Sequence, residues 1–218
     1  GTHTVVVPNP DLKPEKSLNY EAGSSFKADG VFGSDDHLFA KAVFFYDDVK
    51  DFIAPKAWLE PTTPPTLYYS SQNVGHVVRK GIELSGTYAA GQFSTSVSYG
   101  LLHAVDKETN ERMNGITPQS ANLKLAYAFP AQAINVWYRA HWSKGGESSV
   151  EDRATGKKLH FSSFLTHSLG AEWSPKVADL ANLQAGIAVV NLFDKEYRML
   201  NGSYGSGRGV RLWLSAQF

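Results

Sequence analysis

Apolar and polar residues alternate along much of this chain. In 209–218, Val210, Leu212, Leu214, Ala216 and Phe218 share one side, and Arg211, Trp213, Ser215 and Gln217 share the other. That period of two belongs to a strand with one apolar and one polar face. Residues 133–143 repeat it, with Ile134, Val136, Tyr138, Ala140 and Trp142 opposite Asn135, Trp137, Arg139, His141 and Ser143. In 120–129, Ala121, Leu123, Leu125, Tyr127 and Phe129 oppose Asn122, Lys124 and Ala126. In 93–101, Phe93, Thr95, Val97, Tyr99 and Leu101 oppose Ser94, Ser96, Ser98 and Gly100. Weaker alternation covers 16–28, 37–48, 73–90, 162–174 and 182–193. The pattern predicts nine strands and an all-β fold, with no helix capped at both ends.

The predicted connections differ in length, and the difference alternates. Short turns fall at 30–36, 89–92, 129–132 and 175–181, and long polar connections at 49–72, 104–118, 144–161 and 194–208. Short turns at one end and long loops at the other describe a transmembrane antiparallel β-barrel. Aromatics near strand ends (Tyr20, Tyr46, Tyr88, Tyr127, Phe129, Trp142, Trp173, Phe218) suit its interfacial girdles. A soluble β-sandwich also alternates. The small or polar off-side residues (Ser94, Ser96, Ser98, Glu83, Lys124, Arg139) and the one-sided long loops favour the barrel.

Composition narrows the chemistry. Lys plus Arg and Asp plus Glu both number 21 in 218 residues, so no basic excess points to nucleic acid. With no cysteine, disulfides and thiolate sites are excluded. No apolar run approaches the roughly 20 residues of a membrane helix. Gly1–Thr4 has no signal-peptide character. Nine is odd, whereas single-chain bacterial barrels close with an even number of strands. Unpaired terminal strands are not tolerated in lipid. The chain is therefore expected to be the C-terminal part of a larger barrel. No nucleophile elbow, HExxH or paired carboxylates support an enzyme. The run Gly205–Gly209 lacks the Lys-Ser/Thr of a phosphate loop, and Asp47, Asp48 and Asp51 lack the spacing of a calcium loop.

Four stretches, in order, carry a family resemblance: Pro8-Asn9-Pro10-Asp11-Leu12-Lys13-Pro14-Glu15, Gly81-Ile82-Glu83-Leu84, Asn191-Leu192-Phe193-Asp194-Lys195-Glu196-Tyr197, and Gly207-Arg208-Gly209-Val210-Arg211 through Phe218. Together they resemble the C-terminal barrel portion of TonB-dependent outer-membrane receptors, most like the heme and hemoprotein group. The resemblance implies nine strands of a plugged barrel of about 22, in the bacterial outer membrane. It also implies import of a scarce nutrient driven through the TonB complex, with the plug and remaining strands outside this chain. Residues 1–15 become an extracellular segment with the Pro-Asn-Pro-Asp-Leu box, and 16–218 the nine strands. Heme receptors carry a heme-ligating histidine upstream of a similar box, so His3 is the implied axial ligand, a chemistry that suits neutral imidazole. The transported ligand is then heme or a hemoprotein, with a ferric siderophore as the alternative, and no catalytic cofactor is expected.

Further candidates follow from position. His160 lies in the long 144–161 connection. Tyr68 and Tyr69, with Trp58 and Pro61–Pro65, belong to the longest connection, where aromatics can stack on a ligand ring. Trp137, Arg139 and His141 share the lumen face and are placed to touch a passing ligand or the plug. His76 and His103 fall near outer strand ends, where a rim contact with ligand competes with an ordinary interfacial role; His37 falls at the short-turn end and His167 on the lipid face, where structural roles are expected. The 194–208 connection, with Tyr197, Tyr204 and several glycines, is expected to be mobile.

Overall fold

The computed structural model describes residues 3–60, 63, 66–152, 154–176 and 182–217. The elements run β1 (His3–Val6), β2 (Lys16–Asp29), β3 (Asp36–Glu60), β4 (Thr66–Ala90), β5 (Phe93–Asp106), β6 (Glu111–Arg112), β7 (Gln119–Phe129), β8 (Ile134–Ser143), β9 (Gly146–Glu151), β10 (Lys158–Phe161), β11 (Phe164–Trp173), β12 (Asn182–Val190) and β13 (Gly209–Gln217). Eleven of them form one sheet: nine run in the order β13-β12-β11-β8-β7-β5-β4-β3-β2, with β1 added on β4 and β6 on β5. These are the nine strands the alternation predicts, each paired with its sequence neighbour in that set.

The structure departs from the sequence expectation at the long connections. Strands β3 and β4 are each 25 residues long, so most of 49–72 is strand rather than irregular loop. Tyr68 and Tyr69 accordingly sit in β4. In 104–118, β5 continues to Asp106 and pairs with β6 through Val105↔Arg112. In 144–161, β9 and β10 make a separate antiparallel hairpin.

Two compact units divide the chain: 1–21, 45–80 and 103–113 form one, and 22–44, 81–102 and 114–218 the other. In the second unit the cross-strand registers sort residues cleanly by face. One row runs Leu125↔Tyr138↔Leu169↔Val189↔Val210, and the next Tyr127↔Val136↔Ala171↔Ile187↔Leu212. On the opposite face one row runs Ser94↔Ala126↔Trp137↔Gly170↔Ala188↔Arg211. The apolar face is the exposed one: Leu212 and Leu214 are each 74% exposed, while Ala126, Trp137 and Ala188 are buried on the polar face. Apolar rows of this extent facing outward mark contact with lipid. A sandwich would cover them with a second sheet, and none packs there among the described residues.

One short turn is built around a single carboxylate. Asp36 is 2% exposed and accepts the N–H groups of Val31, Phe32 and Gly33 and the hydroxyl of Tyr88 at 2.6–3.0 Å. Burial pushes its carboxyl up, but these donors outweigh it and hold the group below the ordinary carboxylate range.

Candidate functional site

In the first unit the box preceding β2 is a clamp. The Asn9 side-chain oxygen accepts the Asp11 N–H, an Asx turn, while Asn9 Nδ2 donates to the Ser71 carbonyl at 2.9 Å. Asn73 accepts the Lys13 N–H and donates to the carbonyls of Lys13 and Asp51 at 2.7–2.9 Å. Glu15 accepts the Ile53 N–H at 2.7 Å. The box thus fastens 9–15 to β3 and β4. Ahead of it, β1 pairs in parallel with β4, with His3↔Thr66, Val5↔Tyr68 and Val6↔Tyr69 in register. The backbones of three candidates, His3, Tyr68 and Tyr69, are therefore brought onto adjacent strands. The side chains of His3, Trp58 and Tyr69, and the whole of Pro61, Pro64 and Pro65, lie outside what the structure describes.

The same unit resolves the other outer histidines. His76 Nε2 lies 2.5 Å from Asp48, and Arg79 lies 3.3 Å from Asp47. Asp47 and Asp48 are therefore paired across to β4. Arg112 lies 3.0 Å from His103 Nδ1, and the Lys107 N–H donates to the His76 carbonyl at 2.7 Å. Each of these histidines thus has a side-chain partner within the unit.

Trp137, Arg139 and His141 line the polar face of β8 in the second unit. His141 Nδ1 meets the Asn122 side-chain oxygen at 2.7 Å, and Asn122 donates to Ser98 Oγ at 3.2 Å, a polar rung across β8, β7 and β5. The Arg139 guanidinium covers the Trp137 ring at 4.7 Å. Trp137 and Arg139 also line a wall cavity of about 490 Å³ with Glu172, Arg211 and Trp213. His167, on the apolar face, lies 2.5 Å from the Tyr138 hydroxyl, a satisfied pair.

His160 belongs to the second unit, in β10. There 158–164 and the segment after β12 enclose a cleft of about 670 Å³. That segment is not a free loop. Buried Asn191, at φ 49°, donates to the carbonyls of Lys195 and Ser206 and accepts the Lys195 N–H, all at 2.9–3.0 Å. Asp194 accepts the Arg208 N–H at 2.7 Å, and Arg198 bridges to Tyr204. The Ser149 N–H donates to the Leu200 carbonyl at 3.1 Å, tying the β9–β10 hairpin to it. Tyr197 stacks on Phe164 with centroids 4.1 Å apart, and the Arg198 guanidinium lies 3.8 Å over the Tyr204 ring. Sequence reasoning singled out His160, Tyr197 and Tyr204 and missed Phe161, Phe164 and Arg198. Only the pairing of β11 beside β12 brings those together.

An exposed apolar face backed by a partly buried polar one is the arrangement of membrane-spanning strands. Residues 1–192 match the family model described as TonB dependent receptor-like, beta-barrel. The chain belongs to the TonB-dependent receptor family, whose members are bacterial outer-membrane proteins. It is similar to Heme/hemopexin utilization protein C of Haemophilus influenzae strain 86-028NP, 26% identical over 210 residues, covering 94% of this chain and 29% of that protein. It is similar as well to the Hemin receptor of Yersinia pestis, 22% identical over 213 residues, covering 97% and 30%. The Vitamin B12 transporter BtuB of Photobacterium profundum is 29% identical over 190 residues, covering 87% and 28%. Among solved structures, the Copper transporter OprC aligns with a TM-score of 0.71 at 19% identity over 94% of this chain and 31% of that one, a likeness of fold. The chain spans less than a third of the length of these relatives.

Proposed function

We propose that the protein to which this chain contributes imports heme, free or from a hemoprotein, across the outer membrane, powered through the TonB complex. The observation that carries this reading is the pairing of β1 with β4, which sets His3 and the Tyr68-Tyr69 strand side by side ahead of the clamped box. Histidine and tyrosine are both axial ligand types for heme iron, and the strand pairing limits how far either backbone can stray. The names borne by two of the relatives support the same ligand. Loop side chains capture the ligand, His3 coordinates its iron, and release proceeds past a plug supplied by the rest of the protein. No step in this scheme makes or breaks a covalent bond in the ligand, so the protein acts as a transporter rather than an enzyme.

The test is a hemin titration of the intact folded receptor, read in the Soret band, beside His3→Ala. A Soret band that shifts or weakens in the variant supports ligation by His3. An unchanged band removes His3 from the coordination sphere. No specific heme spectrum in either protein transfers the reading to a ferric siderophore, which binds through aromatic and Arg contacts and needs no iron ligand.

A further inference from the structure

We propose that the outer cleft between 158–164 and 194–207 is a capture subsite for a flat aromatic ring bearing carboxylates, with Arg198 as the carboxylate partner. This rests on the uptake reading above and deepens it. The first observation is the state of Arg198. Its guanidinium lies over the Tyr204 ring at 3.8 Å, faces the Phe161 ring at 5.5 Å and donates to the Tyr204 hydroxyl. Among the described residues no carboxylate lies within ion-pair distance of it. A guanidinium carries five donors in a planar fork that matches a carboxylate bidentately. Here the fork is held in place by two rings with most of its donors unspent.

The second observation is the aromatic walling. Phe161, Phe164, Tyr197 and Tyr204 all line the cleft. The Tyr197–Phe164 stack, tilted by only 26°, closes one side with a flat ring surface. The Tyr197 ring lies directly against Gly205, where a Cβ would collide with it. The third observation is His160, exposed at the cleft edge. The β9–β10 register shifts between Lys158 and His160, and a bulge of this kind re-aims a side chain.

The charges argue for a shaped ligand rather than a polyanion. Lys195 and Arg198 are matched in number by Asp194 and Glu196 around the cleft, so there is no broad positive field. Asp194 is already engaged by the Arg208 N–H. Attraction is therefore local to the Arg198 fork and to the ring surfaces beside it. Tyr197 and Gly207 also line the wall cavity that contains Trp137 and Arg139. A ligand held in the cleft thus rests against a residue shared with the polar wall.

Protoporphyrin IX and its dimethyl ester test the subsite on the intact receptor, by fluorescence quenching. Neither contains iron, so His3 ligation does not enter. The expected result is that wild type binds the free acid about tenfold or more tightly than the ester, the range of a charge-assisted hydrogen bond. Arg198→Ala erases that preference, and Arg198→Lys, which keeps the charge and loses the fork, retains part of it. Tyr204→Phe keeps it, because only the hydroxyl contact is removed. Equal loss of acid and ester binding in Arg198→Ala, or no preference in wild type, overturns the subsite. If Arg198→Ala fails to give a folded barrel, full retention of the preference in Arg198→Lys with no loss of affinity overturns it instead. Hemin binding without an Arg198-dependent preference sinks the subsite and leaves the heme reading standing. A preference for the free acid in a receptor that gives no heme spectrum does the reverse.

Discussion

Trp137 on β8 lies across the backbone of Gly170, its registered partner on β11, filling the space a Cβ would take. Trp213 on β13 covers Gly186 on β12 in the same way. Two ladders, on either side of the β11–β12 pairing, therefore each set a large flat side chain on a glycine, and the Trp137 ring packs with Ala188. Gly170→Ala is expected to push the indole off the sheet, at a cost of about 1–3 kcal/mol for overpacking a filled site. The urea midpoint of barrel folding in detergent checks it. Gly170→Ala combined with Trp137→Ala should cost less than the two single losses added together, because the clash is absent once the ring is gone.

Asn191 holds the base of the outer cleft. Asn191→Ala removes three hydrogen bonds and leaves the Lys195 and Ser206 carbonyls without their donor, at about 1–3 kcal/mol for each group left unpaired when buried. The expected outcome is faster hydrogen exchange and proteolysis confined to 194–208, with the strand ladders still protected. Global unfolding instead would show that the segment supports the sheet.

Asp36 makes the turn before β3 sensitive to acid. Its carboxyl lies below its ordinary value in the folded chain, so the carboxylate stabilises the turn at pH above the unfolded value. That contribution is lost as pH falls through the lowered folded value. Amide protection at Val31, Phe32 and Gly33 should therefore be flat near neutrality and decline only in strong acid. Asp36→Asn should lower the protection at neutral pH and remove its pH dependence.

The two faces of β13 should answer differently to charge. Leu212→Arg places a cation on the exposed apolar face, and about 2–4 kcal/mol of folding stability should be lost if it sits near the bilayer midplane. Ser215→Arg, on the polar face of the same strand, should cost much less. Equal costs in a bilayer-folding titration would contradict the facing deduced from the registers.

The candidate site was legible in part. The box before β2 and the Asn191–Tyr197 stretch stand out in the sequence, and in the structure both fix backbone. Asn9, Asn73 and Glu15 use their side chains to pin backbone, and Asn191 to knot a loop. A motif marks a constrained conformation as readily as a site. Tyr68 and Tyr69 read as loop residues because the outer halves of β3 and β4 lack alternation. Arg198 carried no pattern at all: its neighbours Phe161 and Tyr204 lie 37 and 6 residues away in the chain.

What the sequence alone determined was local and periodic. Nine strands, their two faces and their order follow from alternation, because a strand turns every second side chain the same way and lipid accepts only one kind. The register between strands was decided by the tertiary structure. It set Trp137 on Gly170, ran the rung from Ser98 through Asn122 to His141, laid β1 along β4 and drew 158–164 against the segment after β12. Pairing energy depends on which residues meet across strands, and those lie tens of positions apart in the chain. No local window contains both partners, so only the folded sheet reveals them.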